Sequence, residues 1–208
     1  MTIPSDLLRP FGRLRRAAQR GSTGEVRRLL SRRTITAQIA EVAERLRSSL
    51  RAEWPGEFGG GLIAHRPGQT TVTEQPNNDR RIGLHLDNWY NFPMDRRELS
   101  PNRICINLGA QDRFFLLINV PIAELYRRIR DRLPDHIGSR SRGTLIAREF
   151  LKFHPSYPIV RLRIRPGEAY IAPTDNIVHD GSTLGMTVPD VSLSLRGWLP
   201  LIFAHRGK

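Results

Sequence analysis

The sequence predicts a mainly β protein with flanking helices, folded as a jelly-roll barrel or sandwich. About eight short runs of apolar and β-branched residues are separated by turns rich in Pro, Gly, Asn and Asp. Two amphipathic helical segments lie before and between these runs. Short strands that follow a helical start are typical of antiparallel sheets that helices cover on one side.

Apolar residues at steps of three and four predict the two helices. The first is about 17 residues long and starts at Thr34, a candidate N-cap. Its apolar stripe consists of Ile35, Ile39, Val42, Leu46 and Leu50. The second begins at Pro121, a residue suited to the first turn of a helix. The basic segment 9–33 could also be helical, but Gly21 and Gly24 favour a break in it.

The strands show alternating faces. The predicted strands are 62–66, 70–75, 82–89, 103–108, 114–120, 159–165, 169–172 and 191–199. Their clearest polar rows are Arg103, Cys105 and Asn107 in one strand and Ser192, Ser194, Arg196 and Trp198 in another. Because successive side chains on a strand point to opposite faces, each polar row lies opposite an apolar row. We expect the apolar rows to pack on helices and the polar rows to face solvent or a polar cavity.

The charge of the chain is strongly positive. Its 208 residues include 33 Lys and Arg against 20 Asp and Glu, a formal net charge of +13. Such an excess predicts attraction to polyanions or to acidic substrates. Nine arginines fall within residues 1–33, which contain only two acidic residues. We therefore divide the chain into an Arg-rich helical part, residues 1–58, that packs on the barrel, and a jelly-roll core, residues 59–208.

The sequence also bears on the cellular setting. No stretch approaches the ~18 consecutive apolar residues that a membrane span requires. The single cysteine, Cys105, cannot form a disulfide within the chain, which fits a reducing compartment. We expect a cytoplasmic protein without a membrane partner, and the oligomeric state is left open.

Three sequence features could carry chemistry. Of the six histidines, only His85 is followed two residues later by an acid, Asp87. Residues two apart on a strand project from the same face, so this pair could chelate one ion. A turn-rich segment, residues 165–183, leads to a second histidine, His179. Arg196 follows 17 residues later in the polar row of the last strand, where a buried guanidinium requires an anion.

Over about residues 60–200, these features resemble the non-haem Fe(II)/2-oxoglutarate-dependent oxygenases, whose fold is a double-stranded β-helix, a jelly-roll barrel. The resemblance implies that His85, Asp87 and His179 hold Fe(II) and leave three coordination positions open. It also implies that 2-oxoglutarate and O2 are consumed, with succinate and CO2 as products. Arg196 would then clamp the distal carboxylate of 2-oxoglutarate, with Ser194 and Asn107 as further cosubstrate contacts.

A short chain with few insertions leaves a compact barrel mouth, which predicts a small-molecule substrate such as a natural-product intermediate, either acidic or neutral. Its C–H bond would undergo hydroxylation, desaturation or oxidative cyclisation. The candidate substrate-binding residues are Trp89, Arg81 and Arg103. Each has an alternative interpretation, because Trp89 could instead plug a loop and the two arginines could simply be solvated charge.

Other functions are weighed against this one. The chain contains no phosphate-binding P-loop, no H-E-x-x-H, no C-x-x-C and no G-x-S-x-G motif, so it offers no residues for these chemistries. A basic module that binds nucleic acid or another polyanion through residues 9–33 is one alternative. A cupin-like metal enzyme that does not use 2-oxoglutarate is another. Weak polyanion binding is compatible with the oxygenase as well.

Overall fold

The computed structural model describes residues 1–50, 60–75, 80–134, 136–138 and 142–199. Its α-helices are α1 (Ser5–Leu8), α2 (Gly12–Gln19), α3 (Thr23–Leu30), α4 (Arg33–Leu50), α5 (Ile122–Ile129) and α6 (Gly143–Phe153). Its strands are β1 (Gly60–His65), β2 (Asn102–Asn107), β3 (Arg113–Pro121), β4 (Val160–Ile164), β5 (Ala169–Ala172), β6 (Ile177–Ser182) and β7 (Asp190–Gly197). Short 3₁₀ turns cover Arg9–Phe11, Met94–Leu99 and Arg130–Arg132.

Two antiparallel sheets form the centre of the molecule. One has four strands in the order β1-β7-β2-β5, and the other has three in the order β4-β3-β6. A bridge between His85 and His179 adds one more paired position beside β6. Phe115 of β3 stacks on Tyr170 of β5 with 4.0 Å between ring centroids, so the sheets face each other. The fold is the predicted jelly-roll type with flanking helices, but within the described residues strand pairing does not close it into a barrel.

Helices α1–α4 cover the outer face of the four-stranded sheet. Ile104 and Ile106 of β2 and Leu193 and Leu195 of β7 are fully buried there. They share one hydrophobic core with the helical residues Phe11, Leu14, Val42, Ala43 and Leu46. Burying a side chain of this size contributes about 1.5–3 kcal/mol, so this contact is a large part of the stability of the fold. The apolar rows therefore pack on helices, as their alternation predicts.

Helices α5 and α6 cover the outer face of the other sheet. Ile118 of β3 and Val178 of β6 are buried in a second core together with Ile122, Ile129, Ile146 and Phe150. The second predicted helix is confirmed, with Pro121 as its N-cap. Helix α6 was not among the predicted helices, and its Thr144 Oγ1 accepts a hydrogen bond from the backbone N–H of Leu86 at 3.2 Å.

Several predicted elements differ from those observed. Segments 70–75 and 82–89 are not strands and contribute only the bridges Glu74–Arg81 and His85–His179. Helix α4 begins at Arg33, so Thr34 lies inside the helix and is not its N-cap. The predicted break in segment 9–33 occurs at Gly21, whose φ of 72° suits glycine.

The predicted domain boundary and the end of the predicted core cannot be compared with the described residues. The proposed boundary between residues 58 and 59 lies outside them, as do the chain's last residues after 199. None of the helices in the described ranges has the length and apolar character needed to cross a membrane.

Candidate metal centre

Three buried side chains meet between the two sheets. His85, Asp87 and His179 each offer a ligand atom, and these atoms lie within 4.8 Å of one another. His85 Nε2 is 3.8 Å from Asp87 Oδ1, and His179 Nε2 is 4.0 Å from Asp87 Oδ2. The two histidines are held together by a pair of backbone hydrogen bonds of 2.8 and 3.0 Å. Backbone pairing between two segments far apart in the sequence thus brings His179 next to His85 and Asp87, which are only two residues apart.

The imidazole rings are oriented for metal binding. Nδ1 of His85 lies 2.8 Å from the carbonyl oxygen of Gly83, and Nδ1 of His179 lies 3.1 Å from that of Ile177. A neutral ring that donates from Nδ1 carries its lone pair on Nε2, the usual arrangement of a metal-ligating histidine. His179 Nε2 is buried and has no hydrogen-bond partner within the described part of the chain. A metal ion satisfies such a lone pair.

The protonation states of His179 and Asp87 are those that bind a metal ion. Burial lowers the pKa of His179 to about 3, although the carboxylate of Asp87 acts in the opposite direction. Burial also opposes the ionisation of Asp87, but Arg103, His179 and Arg196 outweigh it and lower the pKa of that carboxyl group. A neutral imidazole and an ionised carboxylate are the forms that coordinate metals.

Two arginines contact the carboxylate of Asp87. Arg103 Nη2 donates to Asp87 Oδ2 at 2.5 Å, and Arg196 Nη2 lies 3.6 Å from the same oxygen. The guanidinium of Arg196 also stacks on Trp89, with 3.8 Å between its central carbon and the ring centroid. Trp89 is 61% exposed, so Arg196 lies between the metal centre and the surface.

A cavity of about 380 Å³ opens beside these residues. The predicted site residues that line it are His85, Asp87, His179, Trp89, Arg103 and Ser194. Asn107, Arg81 and Arg196 are not among its lining residues. Arg196 instead contacts two residues that are, Asp87 and Trp89. The structure therefore brings most of the predicted residues to one cavity.

Comparison of the structure finds similar proteins, whereas comparison of the sequence does not. No family model and no curated protein matches the sequence. Three structures of the Kdo hydroxylase KdoO, a non-heme Fe(II) alphaketoglutarate dependent dioxygenase, superpose with a TM-score of 0.50: the apo form, the cobalt(II) complex and the complex with alphaketoglutarate and Fe(III). This chain has the fold of KdoO. The sequence identity is 12–13%, and the match covers 86% of this chain and 64–65% of KdoO.

The side chain of Asn107 is hydrogen-bonded to backbone groups around it. Its side-chain amide donates to the carbonyl oxygens of Gln111 and Ile164, each at 2.9 Å, and its Oδ1 accepts from Gly109 N–H at 2.8 Å. The residue is fully buried. Its polar atoms are therefore occupied by the backbone, and the structure does not bring it to the metal cavity as the sequence analysis expected.

Arg113 is a cavity residue that the sequence analysis missed. It is the first residue of β3, whereas the predicted strand begins one residue later, at Phe114. Its Nη1 donates to Cys105 Sγ at 3.1 Å, and its Nη2 lies 3.6 Å from Asp190 Oδ2. A Cβ atom on Gly181 would lie 2.9 Å from Arg113 Nη2, so glycine leaves space at this point. Arg113 and Phe115 are two residues apart on β3 and therefore face the same side of the sheet. This spacing is the signal that would have identified Arg113.

Asp190 is the buried partner of Arg113 in this fold. Burial opposes its ionisation, but Arg113 and then His65, whose Nδ1 lies 3.1 Å away, outweigh this and lower the pKa of Asp190. A folded-state pKa below the unfolded value of about 3.9 stabilises the protein above that pH. This stabilisation is lost as the pH falls through the folded-state pKa.

We expect Asp190→Asn to lower the free energy of unfolding by about 3–5 kcal/mol at pH 7, because it leaves Arg113 buried and unpaired. The difference from the wild type should narrow below about pH 4, because the unfolded wild type takes up a proton at this carboxyl group before the folded protein does. Urea denaturation at pH 7 and at pH 3 measures both values. Asp112→Asn is the matched control, since Asp112 faces Arg163 at 3.7 Å on the surface and should cost less than about 1 kcal/mol. Equal losses in the two variants would contradict this account of Asp190.

Proposed function

We propose that this protein is an Fe(II)/2-oxoglutarate-dependent dioxygenase that oxidises an unactivated C–H bond of a small molecule. One observation carries the proposal: two imidazoles and one carboxylate, His85, His179 and Asp87, converge at one buried point, and His179 Nε2 has no hydrogen-bond partner among the described residues. This donor set on one side of an ion is that of non-haem Fe(II) oxygenases. The shared fold with KdoO supports the same class.

The cavity also suits an anionic cosubstrate. The Nε atoms of Arg103, Arg113 and Arg196 are buried and lack a hydrogen-bond partner among the residues that the structure describes. A buried donor without an acceptor costs about 1–3 kcal/mol, which a bound carboxylate would recover. Fe(II) with 2-oxoglutarate and O2 supplies the oxidising chemistry, in which R–H, 2-oxoglutarate and O2 become R–OH, succinate and CO2.

Two arginines compete for the distal carboxylate of 2-oxoglutarate. The resemblance implies Arg196, which is stacked on Trp89 toward the surface. Arg113 lines the metal cavity itself and lies beside Gly181, two residues beyond the ligand His179 on β6. Two residues on a strand span about 6.8 Å and face the same side, a separation comparable to an extended five-carbon dicarboxylate. We therefore propose Arg113 as the clamp, with Ser194 as a neighbouring contact.

The other side chains have positioning roles in this proposal. Arg103 holds Asp87 through Oδ2, and the backbone N–H of Asp87 donates to the carbonyl oxygen of Thr174 at 3.1 Å. Arg196 stacked on Trp89 shields the same carboxylate from water. The substrate would approach past Trp89, and its identity as a natural-product intermediate and the outcome as hydroxylation, desaturation or cyclisation remain predictions.

An anaerobic titration tests the proposal without knowledge of the substrate. We expect Fe(II) followed by 2-oxoglutarate to produce a visible charge-transfer band, because a bidentate 2-oxo acid would chelate the ion. Omission of either component is the control. Fe(II) binding without a band on addition of 2-oxoglutarate would favour the cupin-like alternative, and failure to bind Fe(II) would overturn the metal site.

The polyanion-binding alternative has one structural observation in its favour. A groove of about 540 Å³ on the N-terminal helices is lined by Arg9, Arg13, Arg16 and Arg32, over a floor that includes Leu14 and Leu29. Binding of random-sequence DNA that falls steeply with salt would support this activity. The groove is formed by α2 with the 3₁₀ turn before it, by Leu29 of α3 and by the segment around the start of α4. None of its lining residues is a candidate metal ligand, so both activities are compatible.

A further inference from the structure

A second, smaller cavity adjoins the metal cavity. Its volume is about 300 Å³, and Ala64, His65 and Glu74 line both cavities. Arg81, which the sequence analysis assigned to substrate binding, lines this second cavity. The shared lining places the second cavity directly beside the one that contains His85, Asp87 and His179.

Three arginines from separate parts of the chain converge on this second cavity. Arg27 belongs to α3, Arg66 follows β1, and Arg81 lies in the segment that leads to His85. All three are exposed, and none of their guanidinium groups forms an ion pair or a hydrogen bond with another residue of the described ranges.

The charge of the lining is unbalanced. Glu74 is its one acidic residue among those the structure describes, against three guanidinium groups. His65 is already engaged by Asp190 at 3.1 Å. Like charges gathered without counter-charges are unfavourable unless an anion joins them. Guanidinium groups are well suited to this, because their planar fork binds carboxylate or phosphate through two hydrogen bonds.

We propose that Arg27, Arg66 and Arg81 form a subsite for an oxyanion of the substrate, a carboxylate or a phosphate. The inference rests on the proposed function and specifies its substrate class: an anionic small molecule whose charged end lies in the second cavity. The oxidised C–H bond then lies past Ala64 and Glu74, beside the metal ligands. The subsite is separate from the cosubstrate clamp, since neither Arg113 nor Arg196 lines the second cavity.

This assignment also explains one feature of the N-terminal segment. Val26 and Leu29 of α3 are buried against the four-stranded sheet, and this packing carries the neighbouring Arg27 to the rim of the second cavity. The helical segment would therefore complete a binding site that the sheets alone leave open on one side.

Oxyanion binding by the metal-free protein tests the subsite. Isothermal titration with inorganic phosphate, and separately with acetate, is performed at constant ionic strength on the wild type and on the Arg66→Gln/Arg81→Gln double variant. We expect the affinity for the preferred oxyanion to fall about tenfold for each guanidinium removed, since each charge-assisted hydrogen bond contributes roughly that factor. Arg148→Gln on α6, an exposed arginine away from both cavities, is the control and should bind as the wild type does.

The outcomes separate this proposal from the proposed function. Equal oxyanion binding by the wild type and the double variant, with circular dichroism confirming that both are folded, would overturn the subsite. Absence of binding of both oxyanions to the wild type would do the same, even if the Fe(II)–2-oxoglutarate band is present. If the band is absent but the double variant loses phosphate or acetate binding, the subsite stands and the dioxygenase assignment fails.

Discussion

Replacing His179 with alanine is expected to reduce Fe(II) affinity by at least about 100-fold and to eliminate succinate formation. Even outer-shell partners of a metal site change affinity by roughly 10–100-fold, so loss of a direct ligand should exceed that range. The variant should remain folded, because the removed Nε2 has no partner among the described residues. Anaerobic Fe(II) titration and a succinate assay measure the two effects.

His85→Ala should behave in the same way, while His154→Ala provides the matched control. His154 stacks on Phe150 at the end of α6, with 4.7 Å between ring centroids, and is not part of the cluster of candidate ligands. The control should therefore retain both Fe(II) binding and succinate formation. Wild-type Fe(II) affinity in folded His179→Ala would show that the three side chains are not the metal site.

Replacing Arg113 with methionine is expected to have two large and separable effects. The Kd for 2-oxoglutarate should rise about 100-fold if two charge-assisted hydrogen bonds to its distal carboxylate are lost. The free energy of unfolding should fall by about 3–5 kcal/mol, because Asp190 would be left buried without its cation. The charge-transfer band at increasing 2-oxoglutarate measures the first effect, and urea denaturation measures the second.

The double variant Arg113→Met/Asp190→Asn separates the effect on 2-oxoglutarate binding from the effect on the free energy of unfolding. Removing both charges should recover part of the lost stability, since neither charge is then left buried without its partner. It should not recover 2-oxoglutarate affinity. Arg196→Met is the competing test: if it weakens 2-oxoglutarate binding by about 100-fold and Arg113→Met does not, the clamp is the arginine that the sequence analysis favoured.

Local spacing explains which parts of the site could be predicted. Residues two apart in an extended segment share a face whatever the surrounding fold, so His85 and Asp87 could be paired from the sequence. The same rule placed Ser194 and Arg103 on the inner faces of β7 and β2, where both line the metal cavity. It also placed Asn107 there, but a strand pattern does not show which polar side chains the backbone will satisfy.

Nonlocal contacts explain what was missed. Segments 70–75 and 82–89 have strand-like composition, yet a strand requires a continuous partner and these segments have only isolated bridges. Helix α6 packs through Ile146, Ala147 and Phe150 on a core that did not enter the sequence argument. Arg113 acquires its role from Asp190 and Gly181, which lie on two other strands far away in the sequence.

The sequence by itself determined the alternating faces of the strands, the apolar stripe of α4 and the pairing of His85 with Asp87, because each depends on residues a few positions apart. The resemblance to the Fe(II)/2-oxoglutarate-dependent oxygenases implied that His179 joins them, and the tertiary structure brings it there. Only the tertiary structure decided that Arg113 and Asp190 form a buried pair and that Arg27, Arg66 and Arg81 meet in one cavity. Those contacts join segments tens of residues apart, and their geometry is set by how the two sheets and the N-terminal helices pack.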